Sequence, residues 1–397
     1  MKIQVIFTSS FPIGNAGTNR THYICKGLVE SGASVELLIT NPTETFTDMR
    51  NLKSKGVYEK VAFRYINDRL KRDKNKAIRK IVDIWCHIMT ILQVFRNQDR
   101  FDYFIVIGTS VDFRAFLPFS KLFNGAKILL EINEYPFVTR ESNIITKIKR
   151  FFLLKGIFPL YDGFIVISTP LNNLVNRYKS RKAFSLIMPI LGDCSKIRVS
   201  CRSPLKDPYI IHTGSVVESK DGIIGILKAF KISIDRLKQP IKLVITGDVK
   251  GSTDYKMIAD FILRNQLSDF VIFTGFLPSE ELERYLMNGS LAIINKSNNR
   301  QNRFCFPTKL ADYIKYEVPL IVTSVGESIT YLKDGLSAYI IEPEDIDSLA
   351  SKIIYVIENP KQSKAMAKYG KSLVEKEFNY FYQGQRLFNF LKALINE

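Results

Sequence analysis

The chain has 397 residues, a formal net charge of +18 and 46% hydrophobic residues, a length that calls for two domains rather than one core. Its longest apolar candidate, Ile81 to Phe95, contains Asp83, His87 and Gln93, which excludes a membrane-spanning helix of the usual kind. The five cysteines are odd in number with no Cys-x-x-Cys pair, which excludes a disulfide framework and suits a reducing cytoplasm.

In chain order, Lys2 to Thr8 reads as a first strand, too short for a signal segment. Phe11-Pro12-Ile13-Gly14-Asn15-Ala16-Gly17 then forms a glycine-bearing loop before a helix from about Thr18 to Glu30. Strands follow at Val35–Ile39, Phe104–Ile107, Ile128–Glu131 and Phe164–Ile167. Gly14-Asn15-Ala16-Gly17 lacks Gly-x-Gly-x-x-Gly spacing, so a dinucleotide enzyme is disfavoured. Glu131-Ile132-Asn133-Glu134 places two carboxylates at a strand end, and Glu134 is a candidate to orient or deprotonate an acceptor hydroxyl; the alternative is a loop cap. His22 and His87 read as packed or half-exposed histidines.

Charge is distributed unevenly. Residues 1–200 hold 31 Lys and Arg against 16 Asp and Glu, whereas the remainder holds 26 against 23. The excess concentrates between Arg64 and Lys80 and in Lys147-Ile148-Lys149-Arg150-Phe151-Phe152-Leu153-Leu154-Lys155. The second run mixes cations with large apolar side chains, a composition that suits an anionic membrane surface at about 1 kcal/mol per basic residue. A solvated charged face is the plainer alternative. The aromatics lie in apolar runs instead of interleaving with the basic residues, so nucleic acid is not an expected partner.

A break from Met188-Pro189-Ile190-Leu191-Gly192-Asp193 through Asp207-Pro208 divides the chain into domains expected at residues 1–195 and 205–377. An apolar-faced helix at residues 378–397 is expected to return to the first domain. In the second half, apolar runs at Ile211, Leu243, Val271, Leu291, Leu320 and Ala338 alternate with helical patterns. Such runs specify an α/β, doubly wound parallel sheet with its ligand above the strand C-termini, where Gly214, Gly247 and Gly275 let backbone approach closely. Lys220-Asp221-Gly222 supplies a cation in the first strand–loop–helix turn.

The segment Asn302-Arg303-Phe304-Cys305-Phe306-Pro307-Thr308-Lys309-Leu310-Ala311-Asp312-Tyr313 reads as loop, then helix. Unpaired N–H groups at Thr308 and Lys309 form a phosphate seat, and Asp312, one turn along, reaches a sugar hydroxyl beside it. Together they describe a nucleotide-sugar site.

In this order the segments resemble retaining glycosyltransferases of the GT-B fold, specifically glycosyltransferase family 4, over nearly the whole chain. The resemblance implies two Rossmann-like domains facing a cleft, with the C-terminal helix crossing back. It implies that Lys220 grips the donor diphosphate, that Thr308 and Lys309 hold its other side, and that Asp312 bonds the nucleoside ribose. Gly17 looks like the glycine that contacts the donor phosphate from the first domain, and Gly275 with Phe276 occupies the base-binding loop. Two positions depart from the family. Ser215 stands where the family has an arginine, leaving Arg303 or Lys309 to supply that contact. Phe304 stands where a glutamate touches the donor sugar, leaving Asn302 or Arg303 to replace it.

The function expected is metal-independent transfer from a uridine- or guanosine-diphosphate sugar, with no cofactor, to a lipid-linked glycan acceptor at the cytoplasmic face of a membrane. Asp345-Ile346-Asp347 reads as helix capping, not a metal clamp. Lys147, Lys149, Arg150, Phe151 and Phe152 are the membrane and acceptor candidates. A GT-B-fold nucleotide-sugar epimerase and an inactive scaffold subunit are the alternatives.

Overall fold

The computed structural model describes residues 1–45, 49–108, 117–119, 125–136, 144–193, 202–214 and 216–395. The chain divides into two compact units, Met1–Leu191 with Asn379–Glu397, and Gly192–Phe378.

The first unit contains β1 (Lys2–Phe7), α1 (Ala16–Glu30), β2 (Ser34–Ile39), β3 (Lys55–Tyr58), β4 (Val61–Tyr65), α2 (Lys76–Arg96), β5 (Tyr103–Ile107) and β6 (Lys127–Ile132). These are followed by α3 (Ile144–Phe151), β7 (Gly163–Val166), α4 (Thr169–Asn176) and β8 (Phe184–Ile187). The strands form one sheet in the order β3-β4-β2-β1-β5-β6-β7-β8, parallel except for the β3–β4 hairpin. The central strand β5 is buried throughout, which is why its sequence is continuously apolar rather than alternating. Five of these strands, β1, β2, β5, β6 and β7, are legible in the sequence as apolar runs. The edge hairpin β3–β4 is not, because β3 is fully exposed and carries no apolar run.

The second unit contains β9 (Tyr209–Thr213), α5 (Glu218–Asp221), α6 (Ile223–Arg236), β10 (Lys242–Thr246), α7 (Tyr255–Arg264), β11 (Val271–Gly275), α8 (Ser279–Met287) and β12 (Leu291–Ile294). It continues with α9 (Arg300–Phe304), α10 (Lys309–Lys315), β13 (Leu320–Thr323), α11 (Ser328–Tyr331), β14 (Tyr339–Ile341), α12 (Ile346–Glu358) and α13 (Pro360–Phe378). All pairs in its sheet, β11-β10-β9-β12-β13-β14, are parallel. Phe230 of α6 and Ile353 of α12 are buried in the core that covers one face.

The last helix, α14 (Tyr380–Ile395), belongs to the first unit and lies on α1. A glycine pair permits that approach: a Cβ on Gly27 would stand 2.9 Å from Gly384 Cα, and one on Gly384 would stand 2.5 Å from Gly27 Cα. Leu387, Leu391 and Leu394 then enter the same core as Ile24 and Leu28. The apolar spacing of residues 380–395 is thus a packing face.

Candidate nucleotide-sugar site

Three adjacent strands of the second unit end in glycines with positive φ: Gly214 (101°), Gly247 (113°) and Gly275 (71°). Gly247 N–H donates to Gly275 O at 2.8 Å and Gly214 N–H to Thr246 O at 3.1 Å, so the three strand ends are tied side by side. A Cβ on Gly247 would lie 2.7 Å from Gly214 O, whereas one on Gly214 or Gly275 would meet nothing within 4 Å. Gly247 is therefore required by the protein's own backbone. Gly214 and Gly275 border open space, and the exposed ring of Phe276 follows directly.

Lys220 sits half-buried on α5, and its turn is held by three asparagines. Asn295 Nδ2 donates to Gly222 O (2.7 Å), while Asn299 Nδ2 (2.7 Å) and Asn302 Nδ2 (3.1 Å) both donate to Ser219 O. Gly222, in the left-handed region at φ 56°, has no room for a side chain because Asn295 would stand 2.7 Å from its Cβ. Asn302 also donates to Ser297 O (3.0 Å) and is buried. Its amide is thus a brace for the Lys220 turn, a role that its reading as a sugar contact did not include. Arg303 is exposed and donates through Nε to Asn298 Oδ1 at 2.7 Å; Phe304 is half-buried. Ser215 lies outside the described residues.

Beneath the turn lies a charged cluster that sequence reading did not assemble. Lys309 Nζ, at the start of α10, is 2.8 Å from Asp221 Oδ1 and 3.1 Å from His212 Nε2, and Lys296 Nζ is 3.9 Å from the same Asp221 oxygen. Burial alone would raise the Asp221 carboxyl; Lys309, His212 and Lys296 instead hold it well below the usual carboxylate range. Burial, reinforced by Lys309, lowers His212 to about 3, so the imidazole is neutral at pH 7 and accepts from the Lys309 ammonium. Two lysines, one carboxylate and a neutral histidine leave a net positive charge next to Lys220. His212 and Asp221 fall within quoted motifs, but their partners lie 97 and 88 residues away, a separation no local pattern carries.

Thr308 is the N-cap position of α10, half-buried and without a side-chain capping bond. Asp312 stays reachable by water on its exposed side, while the protein packed round it pushes its carboxyl up to about 6, opposed by Lys315 and aided by Glu283. Tyr313, on the buried side, accepts from Thr213 N–H at 2.9 Å and pins α10 to the end of β9. Lys220, Lys309, Gly214 and Thr308 are thereby brought to one end of the sheet.

In the first unit, Asn15 Oδ1 caps α1 by accepting from Gly17 N–H at 2.9 Å and Thr18 N–H at 3.2 Å. The Gly17 amide thus has a protein partner. Of the two carboxylates at the end of β6, Glu131 is fully buried, and its Oε1 accepts from Arg20 Nε at 2.7 Å. Arg20 in turn donates to Pro189 O (2.5 Å) and Met188 O (2.9 Å), so the pair staples α1 and β6 to the 188–189 segment. Glu134 is exposed beyond the strand end. Lys147 and Lys149 are exposed on α3 beside Ile148 and Phe151, Arg150 is half-buried, and Phe152 is exposed. A polar cavity of about 390 Å³ lies at the C-terminal ends of β1 and β2, lined by Ser10, Asn41, Arg72, Asp83 and His87 among others. His87 is half-buried there, in keeping with its reading as a packed or half-exposed histidine.

Residues 194–373 match the family model described as glycosyl transferases group 1. The matched residues span nearly the whole of the second unit. The glycines, Lys220, Lys309 and Asp312 all fall within it. The chain is also 24% identical over 195 residues to the capsular polysaccharide biosynthesis glycosyltransferase CapM of Staphylococcus aureus, covering 47% of each chain, so it spans about half the length of that relative. Sucrose-phosphate synthase from Thermosynechococcus elongatus superposes with a TM-score of 0.72 at 13% identity, over 100% of this chain and 99% of that one. Anabaena HepE, solved in complex with UDP and glucose, gives 0.71 at 14%, over 99% of this chain and 100% of that one. The matched residues thus lie within a GT-B fold that spans the whole chain.

Proposed function

We propose that the protein is a retaining, metal-independent glycosyltransferase that moves a sugar from a nucleoside-diphosphate sugar to a lipid-linked glycan acceptor in surface-polysaccharide assembly. The observation that carries this reading is the gathering of Lys220 and the net positive Lys309–Asp221–Lys296 cluster at glycine-ended strands inside the matched domain. UDP in the HepE structure supports a uridine nucleotide as donor, and CapM supports a polysaccharide acceptor.

In the proposed reaction the bond from the anomeric carbon to the diphosphate breaks, a bond to the acceptor oxygen forms on the same face, and the acceptor's hydroxyl proton passes to the departing phosphate oxygen. Negative charge grows on the departing phosphate oxygens. Lys220, aimed by its asparagine-braced turn, stabilises that charge, and each such fixed donor typically contributes about 3 kcal/mol. Lys309 adds to the field without reorientation, because Asp221 and His212 already hold it in place. Asp312 accepts from the ribose, and Glu134 orients the acceptor hydroxyl.

The test is to incubate the full chain with radiolabelled uridine- and guanosine-diphosphate sugars and polyprenyl-diphosphate-linked saccharides, with and without chelator. Label entering the lipid fraction in chelator supports the reading. Interconversion of the donor alone would favour an epimerase, and no turnover with intact donor binding would favour a scaffold.

A further inference from the structure

We infer that the outward face of α2 lies on an anionic lipid surface and is the element by which this protein docks to a membrane; the inference rests on the membrane-acceptor reading above. α2 is a 21-residue helix whose buried residues are Cys86, Thr90 and Val94. Opposite them, Ile81 (66% exposed), Ile84, Trp85 (55% exposed), Ile88 and Leu92 are all exposed, with Ile78 extending the face at the N-terminal end. At 100° per residue these six cover an arc of roughly 120°, broad enough for a helix lying in a bilayer interface. The helix would run about 30 Å along that surface.

Charge identifies the partner. Lys76, Lys80 and Arg96 are exposed on the same helix, and Lys71 and Lys74 are exposed just before it. The one acid of the helix, Asp83, is turned away from the apolar face: it accepts from Asn41 Nδ2 at 3.0 Å and stands 3.7 Å from Arg72 Nη2. These five basic side chains outnumber Asp99, the exposed acid just beyond the helix, and half-buried Asp73 before it, and complement anionic headgroups while the apolar side chains enter the interface. A second copy of the chain fits less well, because helices that pair use a narrower seam flanked by charges of both signs. Asp83 and His87, on the inner side of α2, line the polar cavity of the first unit. A single helix therefore presents apolar residues outward to lipid and polar residues inward to a cavity.

Trp85 is the one tryptophan of the chain, so the native protein reports on its own face. The experiment titrates full-length protein with phosphatidylcholine vesicles containing phosphatidylglycerol, follows tryptophan emission and sedimentation, and repeats the titration with acyl-brominated lipid. The expected result is a blue shift and bromine quenching that accompany sedimentation and weaken at high salt. An Ile81→Ser, Ile88→Ser double variant should bind these vesicles at least tenfold more weakly while keeping its nucleotide-induced thermal shift. Sedimentation without any change at Trp85 would overturn the assignment to α2 and leave the membrane reading standing. Absence of sedimentation would remove both. A lipid-free blue shift that grows with protein concentration, with dimers in the ultracentrifuge, would overturn it in favour of a second copy.

Discussion

Lys309 and Asp221 meet at 2.8 Å beneath the Lys220 turn, 88 residues apart in sequence and both largely buried. The contact joins the start of α10 to the end of α5, the two short helices that carry the proposed diphosphate contacts. Lys309→Met removes the closer partner of a buried carboxylate and leaves only Lys296 at 3.9 Å. The expected loss is about 3 kcal/mol of unfolding free energy, with donor affinity reduced tenfold or more. Urea unfolding and nucleotide titration of the same sample check both effects.

Acid should reveal His212. Its folded-state pKa of about 3 lies below the ordinary 6.5, so the unfolded chain takes the proton first as pH falls. The stability contributed by keeping this histidine neutral is complete above pH 6.5 and is lost progressively toward pH 3. His212→Gln should flatten that part of the stability profile while preserving the fold, as read from chemical denaturation at half-unit pH intervals.

Asp312 makes a different pH prediction because its carboxyl is raised to about 6. A ribose hydroxyl is bound best by the ionised form, so donor affinity should rise between pH 5 and 7. In Asp312→Asn that rise should disappear, with affinity at pH 7.5 lowered about tenfold, a difference of about 1.4 kcal/mol. Calorimetric titration with the nucleotide at several pH values measures it.

Gly247→Ala should be more damaging than Gly275→Ala, although both positions have positive φ. A Cβ at 247 meets Gly214 O at 2.7 Å, whereas at 275 it meets open space. The expected destabilisation is about 2 kcal/mol beyond that of Gly275→Ala. Gly275→Ala should affect ligand binding more than folding. Thermal melts with and without nucleotide separate the two.

The sheet of the second unit was legible because buried parallel strands are written as uninterrupted apolar runs. Val271–Gly275, Leu291–Ile294 and Leu320–Thr323 end where the sequence places them. The helix Tyr380–Ile395 was legible from its apolar face. Hidden from the sequence were features that depend on distant pairing. Glu131 looks like a site carboxylate until Arg20, 111 residues earlier, is seen to take it. Asn302 reads as a ligand contact, and its bracing bond to Ser219 O, 83 residues away, has no local signal. The outward face of α2 is hidden in the sequence because a helix with one exposed apolar face carries polar residues that break the hydropathy run.

The measurement that tests the central claim most directly is calorimetric titration of the chain and its Lys220→Ala variant with uridine diphosphate and guanosine diphosphate. Saturable binding of one nucleotide by the native chain, weakened at least tenfold by Lys220→Ala with the melting temperature unchanged, is the predicted result. Binding of neither nucleotide, or equal binding by the variant, would contradict the placement of the donor diphosphate at this turn.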